Sequence, residues 1–314
     1  MSDLPAVLAI DVGGTSFKGA VVDASGAVRH RAVAAVLGQQ GEASLALLFD
    51  LADRLVDMAA ASGLRLCALG LIAPGMDELS GRVLFASNLG WRDLPLRDRL
   101  EAHLGLVVAS GHDVRTAGLA EHRLGAARGV DDAALVMLGT GVAAALVSGG
   151  RLIGGAASMA GEFGHIPVFP DGEPCPCGQA GCLEVYASAG GIARRYRAMG
   201  GVAGRTVAEI VAGRAGDEAA ARVWRDAIQA LSLGLATLTL LLDPALIVLS
   251  GGLAAAEGLF DPLAAALVAR LAWRPAPPLR QSLLGLDGAL LGAAMIGFRH
   301  AGRTELAAAW ASRK

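Results

Sequence analysis

The chain has 314 residues, 54% hydrophobic but only 4% aromatic, with 43 glycines. This length suits two domains better than a single core, and the interior must be built mainly from Ala, Leu and Val. A net charge of −2, with lysine only at positions 18 and 314, provides no basic patch of the kind nucleic acid requires, so no nucleic-acid partner is expected.

Leu4 to Ile10 is an apolar run that meets Asp11-Val-Gly-Gly14, which reads as a buried strand and a tight turn. Phe17 to Val22 and Ala27 to Val36 read as the next strands, joined at Asp23-Ala-Ser-Gly26. Leu47, Leu48, Leu51, Leu55 and Met58 place an amphipathic helix over Ser44 to Ser62, before a buried strand from Cys67 to Ile72 that ends at Ala73-Pro-Gly75. A helix over Leu94 to Leu104 and a strand over Leu106 to Ser110 follow. A second strand-rich block then opens at Ala133 to Leu138, turns at Gly139-Thr-Gly141, and continues from Val142 to Val147 and a turn at Ser148-Gly-Gly150. Strand, glycine turn and strand thus occur near residues 6–36 and again near 133–153, the pattern of an internal duplication.

From Ala187 to Leu242 the pattern is mostly helical, Ala245 to Leu249 is a strand running into Ser250-Gly-Gly252, and Leu290 to Ser312 is an Ala-rich helical tail. The longest apolar stretch, Ala230 to Leu242, stops at Asp243-Pro244 before the ~20 residues a membrane span requires, so no membrane association is expected. The domain boundary is expected near Val114. This gives a small α/β domain over 1–115, to which a helix at about 292–314 returns, and a large α/β domain over 116–291.

Chemistry-bearing residues concentrate between Gly161 and Glu184. His165, Cys175, Cys177 and Cys182 form a three-thiolate, one-imidazole set suited to tetrahedral Zn²⁺, and such a set has no open position and is structural. The loop 165–182 so fixed is bracketed by Glu162 and Glu184. Clustered cysteines with one isolated Cys67 are no disulfide framework, and the N-terminus lacks a signal-peptide layout, so a reducing cytoplasm is expected. Cys67 reads as an apolar filler, His103 and His122 as solvated, and Trp91 as either a packing residue or part of a ligand cleft.

Three glycine turns follow apolar strands, at Gly13-Gly14-Thr15, Gly139-Thr140-Gly141 and Gly251-Gly252. Glycine lets backbone N–H groups approach a phosphate, and Asp11 beside the first turn is suited to positioning Mg²⁺ or its waters. Neither a P-loop nor a dinucleotide-binding Gly-x-Gly-x-x-Gly is present.

Taken together these motifs resemble the ROK family of bacterial sugar kinases and sugar-responsive repressors, within the actin-like ATPase superfamily. The resemblance rests on Asp-Val-Gly-Gly-Thr at 11–15, Ala-Pro-Gly at 73–75, Ser-Asn-Leu-Gly-Trp at 87–91, the segment His112 to Glu121, Gly-Glu-Phe-Gly-His at 161–165, the cysteine block at 175–184 and the strand–Gly-Gly segment at 243–252. It implies a two-domain actin-like ATPase (ribonuclease H-like) α/β fold, with a mixed sheet flanked by helices in each domain and closure on the sugar. It implies an ATP-dependent, glucokinase-like hexose kinase with ATP, Mg²⁺ and structural Zn²⁺, working as a homodimer. Asp113 would be the general base, and Asn88, His112, Glu162, His165 and Glu184 would contact the sugar. Asp11, Gly13, Gly14, Thr15, Gly139, Thr140, Gly141, Gly251 and Gly252 would serve the nucleotide, and His165 would touch both zinc and sugar through its two nitrogens. Repressors of the family carry an N-terminal helix-turn-helix, and the short stretch before the first strand argues for the kinase branch.

The sequence departs from the family pattern in three places. His112 and Arg115 stand where the family usually has Asn, and Val142-Ala-Ala-Ala145 follows the second turn where glycines are usual. The alternative reading is therefore a catalytically weakened sugar-binding or sensing protein without a DNA-binding domain. Which hexose is used is not legible in the sequence.

Overall fold

The computed structural model describes residues 4–285 and 287–310. Strand β1 (Leu4–Val12), fully buried over 6–10, pairs antiparallel with β2 (Ser16–Asp23), which pairs antiparallel with β3 (Val28–Ala35). Helix α1 (Glu42–Ala61) buries Leu45, Leu48, Leu51, Ala52, Leu55 and Ala59, one apolar stripe at helical spacing. Strand β4 (Leu64–Ala73) then runs parallel to β1.

A small antiparallel sheet follows, β5 (Met76–Asp77), β6 (Arg82–Ala86) and β7 (Trp91–Leu94). The sequence gives no sign of it, because its strands are short and burial does not follow polarity: Leu84 and Phe85 are exposed along with Arg92 and Asp93, and only Met76, Val83, Ala86 and Trp91 are buried. Helix α2 (Leu96–Leu104) leads to β8 (Val108–His112), parallel to β4, and to α3 (Asp113–Leu124).

The second half repeats the plan. Strands β9 (Ala133–Leu138), β10 (Val142–Ser148) and β11 (Arg151–Leu152) form an antiparallel meander. Helices α4 (Leu183–Ala187), α5 (Ala189–Ala198), α6 (Val207–Ala212) and α7 (Glu218–Leu242) precede β12 (Leu246–Ser250). Helix α8 (Phe260–Arg270) and β13 (Leu279–Gln281) complete the sheet, with β12 parallel to both β9 and β13. The two five-stranded sheets therefore share one order, β3-β2-β1-β4-β8 and β11-β10-β9-β12-β13, so the expected duplication is one of topology. Helices α9 (Asp287–His300) and α10 (Thr304–Trp310) close the chain.

Contacts divide the protein into two compact units. One comprises the chain up to Leu124 with the C-terminal segment after Gly285, and the other spans Gly125–Gly285. The change of unit thus lies one helix beyond the boundary expected near Val114. Helix α3 stays with the first unit because it packs on α9, where a side chain at Gly292 would put its Cβ 2.2 Å from the Thr116 carbonyl oxygen. The same packing buries His122, which is therefore not the solvated residue the charged surroundings suggest.

Among the described residues one helix, α7, is long and apolar enough to cross a membrane. Its Val223, Trp224, Ala227, Leu231 and Leu235 are buried in the core of the second unit.

In the first unit the sheet and α9 meet backbone to backbone at Gly70, where a Cβ would lie 1.8 Å from the Ala293 carbonyl oxygen. Gly70→Ala is expected to lower unfolding free energy by about 3 kcal/mol by prising α9 off the sheet. Equilibrium denaturation measures this, and an unchanged midpoint would refute the close contact.

Candidate functional site

In the first unit the candidate side chains Asp11 and Asp113 lie at the carboxyl ends of parallel strands, the edge where open α/β sheets present ligand-binding loops. Asp11 is level with Ile72 on β4, Ile72 with Gly111 on β8, and Asp113 follows two residues later as the first residue of α3. The Asp11 carboxyl is pushed up from 3.8 to about 6, chiefly by burial and further by the negative charge of Asp113, with Lys18 opposing. The two aspartates are thus electrostatically coupled. Asp113 Oδ1 accepts a hydrogen bond from Val114 N at 2.7 Å and lies 3.1 Å from His112 Nδ1.

The turn after β1 is tight, with Gly13 N donating to Ser16 O at 3.1 Å and Val36 N donating to Thr15 O at 2.9 Å. A Cβ on Gly14 would lie 2.7 Å from Asn88 Nδ2, so the absent side chain is what admits Asn88 against the turn. Asn88 is exposed on a short 3₁₀ turn (Ser87–Leu89) that is held from behind. Leu89 O accepts from Gly41 N at 2.8 Å and Ser44 Oγ at 3.2 Å, and the buried Trp91 indole donates to Ser44 Oγ at 2.9 Å. Trp91 is accordingly a packing residue.

Sequence reasoning did not single out Glu78. Its Oε1 accepts from His112 N at 2.9 Å and from Arg115 Nε at 3.2 Å, while the Arg115 side chain is 1% exposed. Arg115, one of the departures from the family pattern, is thereby a buried brace beneath the Asp113 segment. Nothing in the residues around Glu78 signals this, because the pairing spans 37 positions in sequence.

In the second unit, β9 and β12 are adjacent and parallel with Ser250 opposite Met137, so the turns at Gly139–Gly141 and Gly251–Gly252 lie side by side. Gly251 has φ 90°, and a Cβ there would lie 2.4 Å from Leu138 O. The carbonyls of the Gly139–Gly141 turn point inward. Gly139 O accepts from Ala189 N at 2.8 Å, Thr140 O from Gly190 N at 3.4 Å and Gly141 O from Gly139 N at 3.0 Å. The peptide N–H groups of Thr140 and Gly141 remain as the donors of the turn, a backbone suited to an anion. The Val142–Ala145 departure lies beyond this turn, inside β10, where the methyls of Ala144 and Ala145 are buried.

The segment that carries Glu162 and His165 packs against β10 and against Glu184. Gly161 approaches β10 so closely that a Cβ would lie 1.9 Å from Ala144 O, and a Cβ on Gly164 would lie 2.2 Å from Val142 O and 3.2 Å from Glu184 Cβ. Phe163 and Leu183 seat on α7 at Gly234, where a Cβ would be 2.9–3.0 Å from them. Glu184, half-buried in the first turn of α4, accepts from Val142 N through Oε2 at 2.8 Å.

The ligating atoms of His165, Cys175, Cys177 and Cys182 all lie within 4.8 Å of one another. Cys177 and Cys182 sulfurs are 3.7 Å apart, and Cys175 Sγ is 3.9 Å from His165 Nδ1. Tetrahedral Zn²⁺ with Zn–S near 2.3 Å needs sulfurs about 3.8 Å apart. The donor set therefore fits zinc in kind and in size. Hydrogen bonding from the Gln179 backbone brings the Cys177 thiol down to about 6, whereas burial drives Cys182 up to about 12 and raises Cys175. Only a cation would hold all of them as thiolates together. The loop is also tied down from outside: Glu173 Oε1 accepts from Arg195 Nε at 2.6 Å, Arg195 Nη2 donates to Asp226 on α7 at 2.7 Å, and the guanidinium lies 4.6 Å over the Tyr186 ring.

A model of the ROK family matches residues 7–299. The chain is 30% identical over 313 residues to a glucokinase of Streptomyces coelicolor, covering 91% of this chain and 96% of that protein. Its fold is similar to a ROK hexokinase of Thermus thermophilus, with TM-score 0.81, 33% identity, 95% of this chain and 99% of that one covered. It is similar too to a ROK family glucokinase of Streptomyces griseus solved with glucose and AMPPNP, with TM-score 0.80, 31% identity, 94% and 99% covered. The actin-like ATPase fold expected from the motifs is the fold of these neighbours.

The raised Asp11 pKa has a thermodynamic consequence. The folded chain keeps this proton up to about pH 6, whereas the unfolded chain loses it near 3.8, so stability falls as pH rises between those values. Asp11→Asn is expected to stabilise the protein by about 1–3 kcal/mol at pH 7, with the gain vanishing below about pH 4. Denaturant melts at both pH values test it, and an equal effect at the two would contradict it.

Proposed function

The chain belongs to the ROK family, and from that premise we propose that it is an ATP-dependent hexose kinase that phosphorylates the 6-hydroxyl of glucose or a closely related hexose. The observation that carries this reading is the Asp11–Asp113 pair at the carboxyl edge of the first sheet: one carboxylate suited to a cation, the other standing at a helix start beside a glycine turn. Phosphoryl transfer needs little beyond a positioned hydroxyl, a base, charge neutralisation and backbone donors.

Asp113 takes the proton of the attacking hydroxyl as it adds to the γ-phosphorus of ATP, and ADP leaves. Asp11 would hold Mg²⁺ or its waters, and the ion would supply charge neutralisation at the phosphates. Two coupled carboxylates, one with a raised pKa, form a place where a cation relieves repulsion, so the residues fit the ion. The turns at Gly13–Thr15 and Gly139–Gly141 donate N–H groups to phosphates, and Gly251–Gly252 leaves open space for adenosine, with nothing within 4 Å of a Cβ on Gly252. Asn88, Glu162, His165 and Glu184 hydrogen-bond the sugar, and His112, next to the base, bears on which hexose is accepted. His165 has Nδ1 turned to Cys175 and thus to zinc, which leaves Nε2 for the sugar. The seating of Ala144, Ala145 and Arg115 in regular packing supports full turnover over the weakened, sensing alternative.

Asp113→Asn is expected to lower the turnover number by about 100-fold or more while hexose binding persists, as removal of a general base does. Turnover at the wild-type rate would remove Asp113 from that role. The purified protein is expected to carry one zinc per chain. Chelation should lower its melting temperature and weaken hexose binding together, with zinc restoring both. Metal analysis that finds no zinc in the active protein would contradict the bracing role.

A further inference from the structure

Within the second unit the Glu184 side chain touches both the Gly161–His165 segment and the Gly139–Gly141 turn. Its Oε2 accepts the Val142 N–H at 2.8 Å, at the first peptide beyond Gly139-Thr-Gly141. A Cβ on Gly141 would lie 2.4 Å from the same oxygen, so the carboxylate rests directly against the turn. A Cβ on Gly164, between Glu162 and His165 in sequence, would lie 3.2 Å from the Glu184 Cβ and 2.2 Å from Val142 O, so this glycine seats against both. We propose that Glu184 is a positioning residue for the nucleotide as well as a sugar contact, holding the Gly139–Gly141 turn so that hexose and nucleotide binding are coupled through one carboxylate.

The physical basis is that a charge-assisted hydrogen bond fixes the direction of the peptide preceding β10, and with it the N–H groups of the turn. A hexose that hydrogen-bonds the other face of the carboxylate orders the same side chain, so each ligand pre-pays ordering the other needs, and the effect is reciprocal. The alternative role, a carboxylate that acts on the nucleotide only through its charge, predicts the opposite sign, because like charges near the phosphates repel.

This inference rests on the kinase reading, and the test separates the two. Mg²⁺–AMPPNP is titrated calorimetrically into the zinc-loaded protein without sugar, for wild type, Glu184→Ala and Glu184→Gln, with zinc content and melting temperature recorded for each. Wild type is expected to bind, Glu184→Ala about tenfold more weakly, the loss of one hydrogen bond to a charged group, and Glu184→Gln within about twofold because its amide oxygen still accepts from Val142 N. In wild type, saturating hexose should tighten nucleotide binding, and this tightening should be lost in Glu184→Ala. Unchanged or tighter binding in Glu184→Ala, or equal loss in both variants, overturns the positioning role. Absence of nucleotide binding in wild type overturns the kinase reading instead.

Discussion

Backbone-to-backbone contact between the Gly161–His165 segment and β10 sets the geometry of the second unit, since Gly161 and Gly164 press on the carbonyls of Ala144 and Val142 at distances no side chain would permit. Once that segment is laid down, the direction of Glu162 and His165 follows, and Glu184 is left facing both the segment and the Gly139–Gly141 turn. The cysteine cluster then closes the far end of the same loop on His165, and the Glu173–Arg195–Asp226 chain anchors it to α5 and α7. Loaded with zinc as proposed, this set would have no open position and would act as a brace, removing conformational freedom from residues that would otherwise lose it on binding.

In the first unit two carboxylates, Asp11 and Asp113, are electrostatically coupled, and the Lys18 charge only partly offsets burial and the Asp113 charge at Asp11. Burial and the Asp113 charge make ionisation of Asp11 unfavourable, a standing electrostatic strain that a bound cation relieves. Perturbed acids in such positions are commonly functional, and here the strain sits beside a tight glycine turn and the start of α3. Stability is lower for it, as is usual where a site is organised for a ligand that the protein alone does not supply.

Much of this was legible in the sequence. Apolar runs ending in glycine located β1, β4, β9 and β12, and the helical stripe of Leu48, Leu51 and Leu55 located α1, because those elements bury one continuous face. The cysteine set was legible because metal ligation leaves a fixed spacing of rare residue types. What escaped depends on contacts distant in sequence. The β5–β7 sheet has no periodic face, α3 is held to the first unit mainly by its packing on α9, and the Glu78–Arg115 pair joins segments with no local pattern. The Val142–Ala145 run departs from the family's glycine-rich pattern. In the fold it lies within β10 after the turn, where the Ala144 and Ala145 methyls help fill the interior.

Phosphoryl transfer to a sugar is measured by following ADP release from Mg²⁺–ATP with the zinc-loaded protein over a panel of glucose, mannose, fructose, allose and the N-acetylated hexosamines, with the phosphorylated product identified. Sugar-dependent ADP release, strongest with glucose or a near relative, and a 6-phosphate product in equal amount are expected. Saturable binding of a hexose with no ADP released for any sugar would contradict the kinase reading.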